Sequence, residues 1–211
     1  MSMAEPVPWV YVVDDDPDVL KAIARLLESV GLSVATYPSA QSFLEHYDRN
    51  APGCLVLDLE LPALNGLELQ RLLEQQMSFL PIVFLTGHGD IAASVQAMKH
   101  GAADFLTKPV DDAVLIGAIQ QALERGQALR RERVERQHIA KCLATLTERE
   151  RQVFEQIVAG RLNKQIAAEF GLTEQTIKFH RANLMHKMGV RVVADLVKLA
   201  APAGIGAAPR A

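Results

Sequence analysis

Short apolar runs alternate with segments of helical spacing through the first half of the chain. The runs are Trp9–Val13, Ser33–Tyr37, Cys54–Leu57, Ile82–Leu85 and Asp104–Leu106. Nearly continuous apolar runs of this length are typical of strands that are buried on both faces. Between the runs, apolar residues recur three and four positions apart, which predicts amphipathic helices. Five such units predict an α/β domain with a parallel five-stranded sheet and helices on both faces.

The last third of the chain has helical spacing throughout. The segment Thr147–Glu150 has the composition of a capping box and precedes a first amphipathic helix. Residues 164–170 predict a second helix, which the turn at Gly171 separates from a third. Thr173 is placed to cap the third helix, which we expect to end near Met188. Two helices joined by so short a turn predict a helix-turn-helix, with a helical interaction module that binds no DNA as the alternative.

A charged segment lies between these two regions. The segment from Glu124 to Arg136 contains five Arg and three Glu, and it contains no Pro. A solvated helical linker over residues 124–142 is the expectation, and a short dimerising coil is the alternative; Gly126 weakens either helix. The predicted organisation is therefore a first domain at 1–123, the linker at 124–142, a helical domain at 143–200 and a disordered Ala/Gly/Pro-rich tail at 201–211.

Composition excludes several classes of protein. Of the 211 residues, 49% are hydrophobic and 22% are charged, so the chain can bury a core. No apolar run approaches the about 18 residues of a membrane span, and the N-terminus lacks the pattern of a secretory signal. The two Cys cannot form a disulfide framework, and no Cys/His cluster has zinc spacing. We expect a cytoplasmic protein with no membrane partner.

Charge is divided unevenly along the chain. Residues 1–123 carry 6 Lys and Arg against 16 Asp and Glu, whereas residues 124–211 carry 16 against 9. The basic second half is a candidate for binding a polyanion. Charge alone is equally consistent with two solvated surfaces.

Polar side chains stand at the ends of four of the predicted strands. Asp14 and Asp15 follow the first strand, Asp58 the third and Thr86 the fourth, and Lys108 comes after the fifth. In an open parallel sheet these points lie along one edge, where ligands bind. Any one of the acidic residues could be a loop residue or a helix cap. Together, the clustered carboxylates predict a site for a hard divalent cation that keeps several waters, which suits Mg²⁺.

This set of residues suggests phosphoryl transfer. Asp58 lies centrally and is the natural nucleophile toward phosphorus, with an acyl phosphate as product. Mg²⁺ and Lys108 would neutralise charge on the equatorial oxygens, and Thr86 could donate its hydroxyl to the phosphoryl group. The sequence contains no P-loop and no GxGxxG, so a nucleotide is not the expected phosphoryl source.

The third helix of the second domain has two distinct faces. Its core face carries Ile177, Leu184 and Met188. The opposite face carries Gln175, Lys178, Phe179, Ala182 and His186. A phenylalanine there fits a helix that enters a major groove, where Lys178 can reach a guanine or a phosphate and Phe179 or Ala182 a thymine methyl group. Three flanking residues suit phosphate contacts: Thr176, Asn183 and Lys187.

Residues 7–123 resemble the receiver domain of two-component response regulators. The segments that carry the resemblance are VVDDD (12–16), LDLELP (57–62) with Gly66, LTGHGD (85–90) and FLTKP (105–109). They occur in receiver order and at receiver spacing. The resemblance implies a flavodoxin-like (βα)₅ fold.

Site roles follow from that resemblance. It implies that Asp58 accepts a phosphoryl group from a sensor histidine kinase. It also implies that Mg²⁺ is bound by Asp15, Asp58 and the backbone carbonyl of Glu60, while Asp14 holds a metal-bound water. In the family, a switch aromatic turns inward as the strand-end hydroxyl residue moves toward the phosphate. Here those residues are Phe105 and Thr86, and the bond between Lys108 and the following proline is expected to be cis.

Residues 143–200 resemble the LuxR/NarL-type DNA-binding domain. The pattern NKxIA at 163–167 followed by TIKxH at 176–180 carries this resemblance. It implies a four-helix domain that binds DNA as a dimer through its third helix, with Lys178, Phe179 and Ala182 facing the bases. Together with GHGD at 87–90, the whole chain resembles FixJ-type response regulators.

The resulting hypothesis is a DNA-binding transcriptional regulator, not an enzyme, that responds to phosphorylation. An acyl phosphate at Asp58 would favour a homodimer of receivers and hence binding to promoter DNA; RNA polymerase is a further candidate partner. One alternative is a Mg²⁺-dependent phosphohydrolase that acts through Asp58. The other is a regulator that ignores phosphate and works by protein contact alone.

Overall fold

The computed structural model describes residues 7–49, 51–87 and 91–200. Its contacts divide the chain into two compact units, with the division between Arg131 and Glu132. Within the described residues there are five strands and nine helices, and none of these helices is both long and apolar enough to cross a membrane.

The first unit is a parallel sheet with helices on its two faces. Its strands are β1 Trp9–Val13, β2 Ser33–Tyr37, β3 Gly53–Asp58, β4 Ile82–Thr86 and β5 Asp104–Thr107. The intervening helices are α1 Pro17–Ser29, α2 Ala40–His46, α3 Gly66–Gln75 and α4 Ile91–Lys99. The strand order is β2-β1-β3-β4-β5, and every ladder is parallel. The predicted five-stranded sheet is confirmed, and no strand differs from its predicted bounds by more than one residue at either end.

Side chains of the preceding loops fix where three of these helices begin. Asp16 accepts hydrogen bonds from the backbone N–H groups at the start of α1, and Ser39 does the same for α2. Asn65 and Glu68 form a reciprocal capping box at α3. Each cap satisfies amide groups that have no partner inside the helix, which favours that starting point over its neighbours.

The sheet is buried on both faces, and alternate residues of β1 belong to different layers. Val10 and Val12 face a cluster formed with α1 and with the first turns of α5, the helix Asp112–Ala144. Tyr11 and Val13 face a second cluster formed with α2, α3 and α4. Burying one side chain of this size stabilises the fold by about 1.5–3 kcal/mol. Burial in two directions explains why the strands are apolar at consecutive positions.

The predicted helical linker is part of α5, which runs unbroken from Asp112 to Ala144. The low helix propensity of glycine predicts that Gly126 weakens such a helix, and the structure gives a reason for its presence. A Cβ atom at this position would lie 3.1 Å from both the carbonyl oxygen of Gly53 and Cδ of Pro81. The missing side chain thus allows α5 to approach the beginnings of β3 and β4 closely.

The second unit contains the end of α5 and four further helices. They are α6 Glu148–Val158, α7 Asn163–Phe170, α8 Glu174–Lys187 and α9 Val193–Ala200. The capping box at Thr147 and Glu150 is present. Gly171 ends α7 in the left-handed conformation, with φ of +63°, and Thr173 caps α8. The four-helix architecture is confirmed, and the tail predicted to be disordered at 201–211 lies outside the described residues.

Candidate functional site

Three carboxylates converge at the edge of the sheet where the strands end. Asp14 and Asp15 follow β1, and Asp58 is the last residue of β3, which is the neighbour of β1 in the sheet. One carboxylate oxygen from each of the three lies within 4.8 Å of the others. Asp14 and Asp58 are only 2% and 7% exposed, whereas Asp15 is exposed. The parallel topology therefore brings together residues that are more than forty positions apart in sequence.

Lys108 joins this cluster from beyond β5. Its Nζ atom lies 2.6 Å from Oδ2 of Asp14 and 3.3 Å from Oδ2 of Asp58. The backbone N–H of Lys108 also donates to the carbonyl of Thr86 at 2.7 Å, which fixes the loop after β5 against the end of β4. The peptide bond between Lys108 and Pro109 is cis, as the resemblance to receivers implies.

Burial and charge shift the pKa values of the two central groups. Burial raises the pKa of Asp58; the Lys108 ammonium opposes this rise and the charge of Asp14 adds to it, so the pKa stays above its usual value. Burial lowers the pKa of Lys108, but its hydrogen bonds and charge interactions with the two carboxylates outweigh this effect and raise it. Lys108 is therefore a permanent cation at neutral pH.

The donor atoms at this edge fit a hard divalent cation. Carboxylate oxygens are the ligands that Mg²⁺ prefers, and a mixture of buried and exposed carboxylates leaves room for the waters that it retains. Asp14, Asp15 and Asp58 outnumber the single ammonium of Lys108, so the cluster retains negative charge that a cation would neutralise. Oδ1 of Asp58 accepts a long, 3.4 Å hydrogen bond from the N–H of Glu60, the other predicted ligand.

Thr86 and Phe105 lie on β4 and β5, which are adjacent strands of the sheet. Thr86 ends β4 and is completely buried. Phe105, on β5, is partly buried and packs on Phe84 with 6.0 Å between ring centroids. Thr86 thus ends its strand, while the roles and the movement of Thr86 and Phe105 stay predictions. His88, Gly89 and Asp90 of the GHGD segment lie outside the described residues.

In the second unit, α8 presents the two faces that its sequence predicts. Ile177 and Leu184 are completely buried against the other helices. On the opposite side Lys178 and Ala182 are exposed, and Phe179 is 62% exposed. This face of α8 therefore leaves a basic and an aromatic side chain accessible to solvent.

The residues predicted to contact phosphates have partners within the second unit or are half-buried. Thr176 shares a 2.9 Å hydroxyl contact with the capping Thr173, and Asn183 is half-buried. Nζ of Lys187 lies 2.7 Å from Oε2 of Glu150. Sequence reasoning missed this pair because 37 positions separate its members and only the tertiary fold brings them together.

Two family models match the chain. The model described as the response regulator receiver domain matches residues 10–120. The model described as bacterial regulatory proteins of the luxR family matches residues 144–200. Each match falls on one of the two regions in which the candidate sites lie.

Two curated relatives are similar over nearly the whole chain. The response regulator protein TodT of Pseudomonas putida is 41% identical over 197 residues, which cover 93% of this chain and 87% of TodT. The transcriptional regulatory protein FixJ of Azorhizobium caulinodans is 42% identical over 206 residues, which cover 98% of this chain and 97% of FixJ.

Solved structures give the same relationship. The response regulator StyR is 44% identical, with a TM-score of 0.84 over 92% of this chain and 98% of the StyR chain. Full-length FixJ from B. japonicum is 39% identical, with a TM-score of 0.57 over 95% of this chain and 98% of that chain.

Proposed function

Because this chain belongs to the response regulators that combine a receiver domain with a LuxR-type DNA-binding domain, we propose that phosphorylation of Asp58 controls its binding to promoter DNA. The observation that carries this proposal is the convergence of three carboxylates and one ammonium at the strand ends. Asp58 is the member of this cluster that lies at the end of a central strand, next to both Asp14 and Lys108.

The proposed phosphoryl donor is a sensor histidine kinase. A carboxylate oxygen of Asp58 attacks phosphorus; a P–O bond forms while the P–N bond to the kinase histidine breaks, and the histidine nitrogen keeps the electron pair. Lys108, 3.3 Å away, is placed to neutralise charge on the transferred group.

Asp15, Asp58 and the carbonyl of Glu60 are the proposed Mg²⁺ ligands, and Asp14 would bind one of the metal's waters. When bound, Mg²⁺ supplies positive charge opposite the phosphoryl oxygens. The acidic cluster supports this assignment because its excess negative charge is costly without a cation.

The proposed response starts at Thr86, whose buried hydroxyl turns toward the phosphoryl oxygens. Phe105 packs into the space on that side of β5, and the altered receiver surface then pairs with a second copy of the chain. Two copies present two α8 helices, which suits a DNA site made of two half-sites. RNA polymerase is a further proposed partner of the promoter-bound dimer.

Base reading is proposed for the exposed face of α8. Lys178 is placed to contact a guanine or a phosphate, while Phe179 and Ala182 can contact thymine methyl groups. Thr176 and Asn183 flank this face and are proposed phosphate contacts. Because promoter DNA is the proposed partner, we also propose a cytoplasmic location. The relatives are transcriptional regulators, so the acyl phosphate serves as a signal and not as an intermediate of steady turnover.

The phosphoacceptor is tested by labelling the full chain with acetyl phosphate and Mg²⁺. We expect Asp58→Asn to abolish incorporation, because an amide is not a nucleophile toward phosphorus. Asp18→Asn is the matched control, since Asp18 is exposed on α1 and lies outside the cluster. Incorporation that persists in Asp58→Asn would refute the assignment.

DNA binding is tested on duplexes selected from a random pool by the beryllofluoride-treated wild-type chain. We expect Lys178→Ala to weaken binding and leave phosphoryl labelling intact. Lys198→Ala is the matched control, because the Lys198 side chain on α9 is 80% exposed. Equal losses in the two variants would contradict base reading by this face of α8.

A further inference from the structure

The rotation of α8 about its own axis decides which of its side chains face DNA. Its apolar core contacts decide which face of α8 is buried. Hydrogen bonds and ion pairs are directional and can fix the angle. Two residues of α8, Lys187 and Arg181, make such contacts with its neighbours.

Lys187 anchors α8 to the N-terminal turn of α6. Its ammonium contacts Oε2 of Glu150 at 2.7 Å and the carbonyl oxygen of Thr145 at 3.0 Å. Glu150 is only 4% exposed, and its Oε2 also accepts the N–H of Thr147 at 2.8 Å. A carboxylate buried to this extent needs its cation, and losing one partner of such a pair is costly. The pair thus holds the end of α8 at a fixed distance from α6.

Arg181 anchors α8 to α7 from the other side. Its Nη1 atom donates to Oδ1 of Asn163, the first residue of α7, at 2.9 Å. At about 100° per residue, Arg181 lies about 40° to one side of the core stripe of α8 and Lys187 about 80° to the other. Contacts on opposite sides of that stripe resist rotation in both directions.

We propose that Lys187 and Arg181 are positioning residues that set the rotation of α8, and that Lys187 does not contact a DNA phosphate. This inference rests on the proposed DNA-binding function. The positive charge of Lys187 is already balanced by Glu150, so the pair has no net charge to offer a phosphate. Loss of Lys187 should therefore misdirect Lys178 and Phe179 without removing a phosphate contact.

The test is Lys187→Met in the full beryllofluoride-treated chain. Its affinity is measured for a wild-type-selected duplex and for a scrambled duplex over a range of salt concentrations. The logarithm of the binding constant falls with the logarithm of the salt concentration, and each lost lysine–phosphate contact makes this fall less steep by about 1. We expect the slope to be unchanged and the ratio of specific to scrambled affinity to fall about tenfold, the size of one lost base contact.

Three further variants separate positioning from misfolding. Lys187→Arg keeps a cation at Glu150 and should restore most of the specificity ratio. In Lys187→Met the buried Glu150 carboxylate has lost its cation, and the double variant Glu150→Gln/Lys187→Met removes this unpaired charge. The double variant should bind DNA like Lys187→Met, because both lack the same contact between positions 150 and 187. Arg181→Met should likewise lower the specificity ratio, since it removes the contact with Asn163.

The outcomes separate this inference from the proposed function. Wild-type chain that does not distinguish the two duplexes would overturn the DNA-binding proposal and this inference with it. This inference alone would be overturned by a different result. In that case the wild type binds specifically, while Lys187→Met shows a less steep salt dependence and an unchanged ratio of specific to scrambled affinity.

Discussion

Replacing Gly66 with alanine would place a methyl group between the start of α3 and the end of the strand that carries Asp58. A Cβ atom built on Gly66 lies 2.5 Å from the backbone oxygen of Asp58 and 3.0 Å from Cε1 of Phe84. It also lies 3.1 Å from Cα of Leu59, whose carbonyl accepts the N–H of Gly66 at 3.0 Å. Non-bonded carbon atoms prefer separations of about 3.5–4.0 Å, so either α3 or the end of β3 must move.

Two opposing effects set the size of the change. Alanine is favoured over glycine within a helix by up to about 1 kcal/mol. Forcing an extra methyl group into a packed site costs about 1–3 kcal/mol, and the cost lies toward the upper end where backbone atoms must move. We therefore expect Gly66→Ala to lower the free energy of unfolding of the first unit by about 1–2 kcal/mol.

Urea unfolding of the full chain, followed by the fluorescence of Trp9, measures this change. Trp9 is the only tryptophan of the sequence and stands at the start of β1, so it monitors the first unit. The matched control is Gly117→Ala in α5, where nothing outside the neighbouring helix backbone lies within 4 Å of the added Cβ. That variant should gain about 0.5–1 kcal/mol. If both variants were stabilised alike, the close approach at Gly66 would not exist in solution.

Three further predictions concern stability. The raised pKa of Asp58 means that the folded first unit holds this proton more tightly than the unfolded chain, so the contribution of Asp58 to the stability of this unit should fall as the pH rises from 3.8 through the raised pKa. Asp58→Asn should therefore be more stable than wild type at pH 7 in magnesium-free buffer, and a less stable variant in urea unfolding would contradict this. The lowered pKa of Glu150 has the opposite effect: its contribution to the second unit is present above 4.5 and lost as the pH falls. In acid, amide protons of the second unit should lose less protection from exchange in Glu150→Gln than in the wild type. An equal loss in the two proteins would argue against the ion pair. Leu184→Ala empties a completely buried position of α8 and should cost about 2–5 kcal/mol, measured by the same exchange experiment; a cost below about 1 kcal/mol would contradict the packing of α8.

Most of the fold was predictable because its signals are local. The apolar runs predict the bounds of each strand to within one residue. Caps such as Asp16 and Thr147 mark helix starts through hydrogen bonds to residues only two or three positions away in sequence. The candidate site followed from one general rule, since the ends of parallel strands share an edge. That rule was sufficient to bring Asp14, Asp58 and Lys108 together.

The remaining features depend on tertiary contacts that no local pattern reveals. Helical periodicity placed Lys187 on a flank of α8, but it could not show that the buried carboxylate of Glu150 lies opposite. The same holds for Arg181, whose partner Asn163 is on another helix. Gly126 looked unfavourable by helix propensity alone, because the approach of α5 to Gly53 is visible only in the folded chain.

The close packing of Gly126 against Gly53 and Pro81 also limits where residues can be inserted or deleted between β5 and the second unit. One residue inserted into α5 before Gly126 would turn the following part of the helix by about 100°. Arg125 would then take the position next to the carbonyl oxygen of Gly53. Insertions and deletions should therefore be selected against between Asp112 and that glycine.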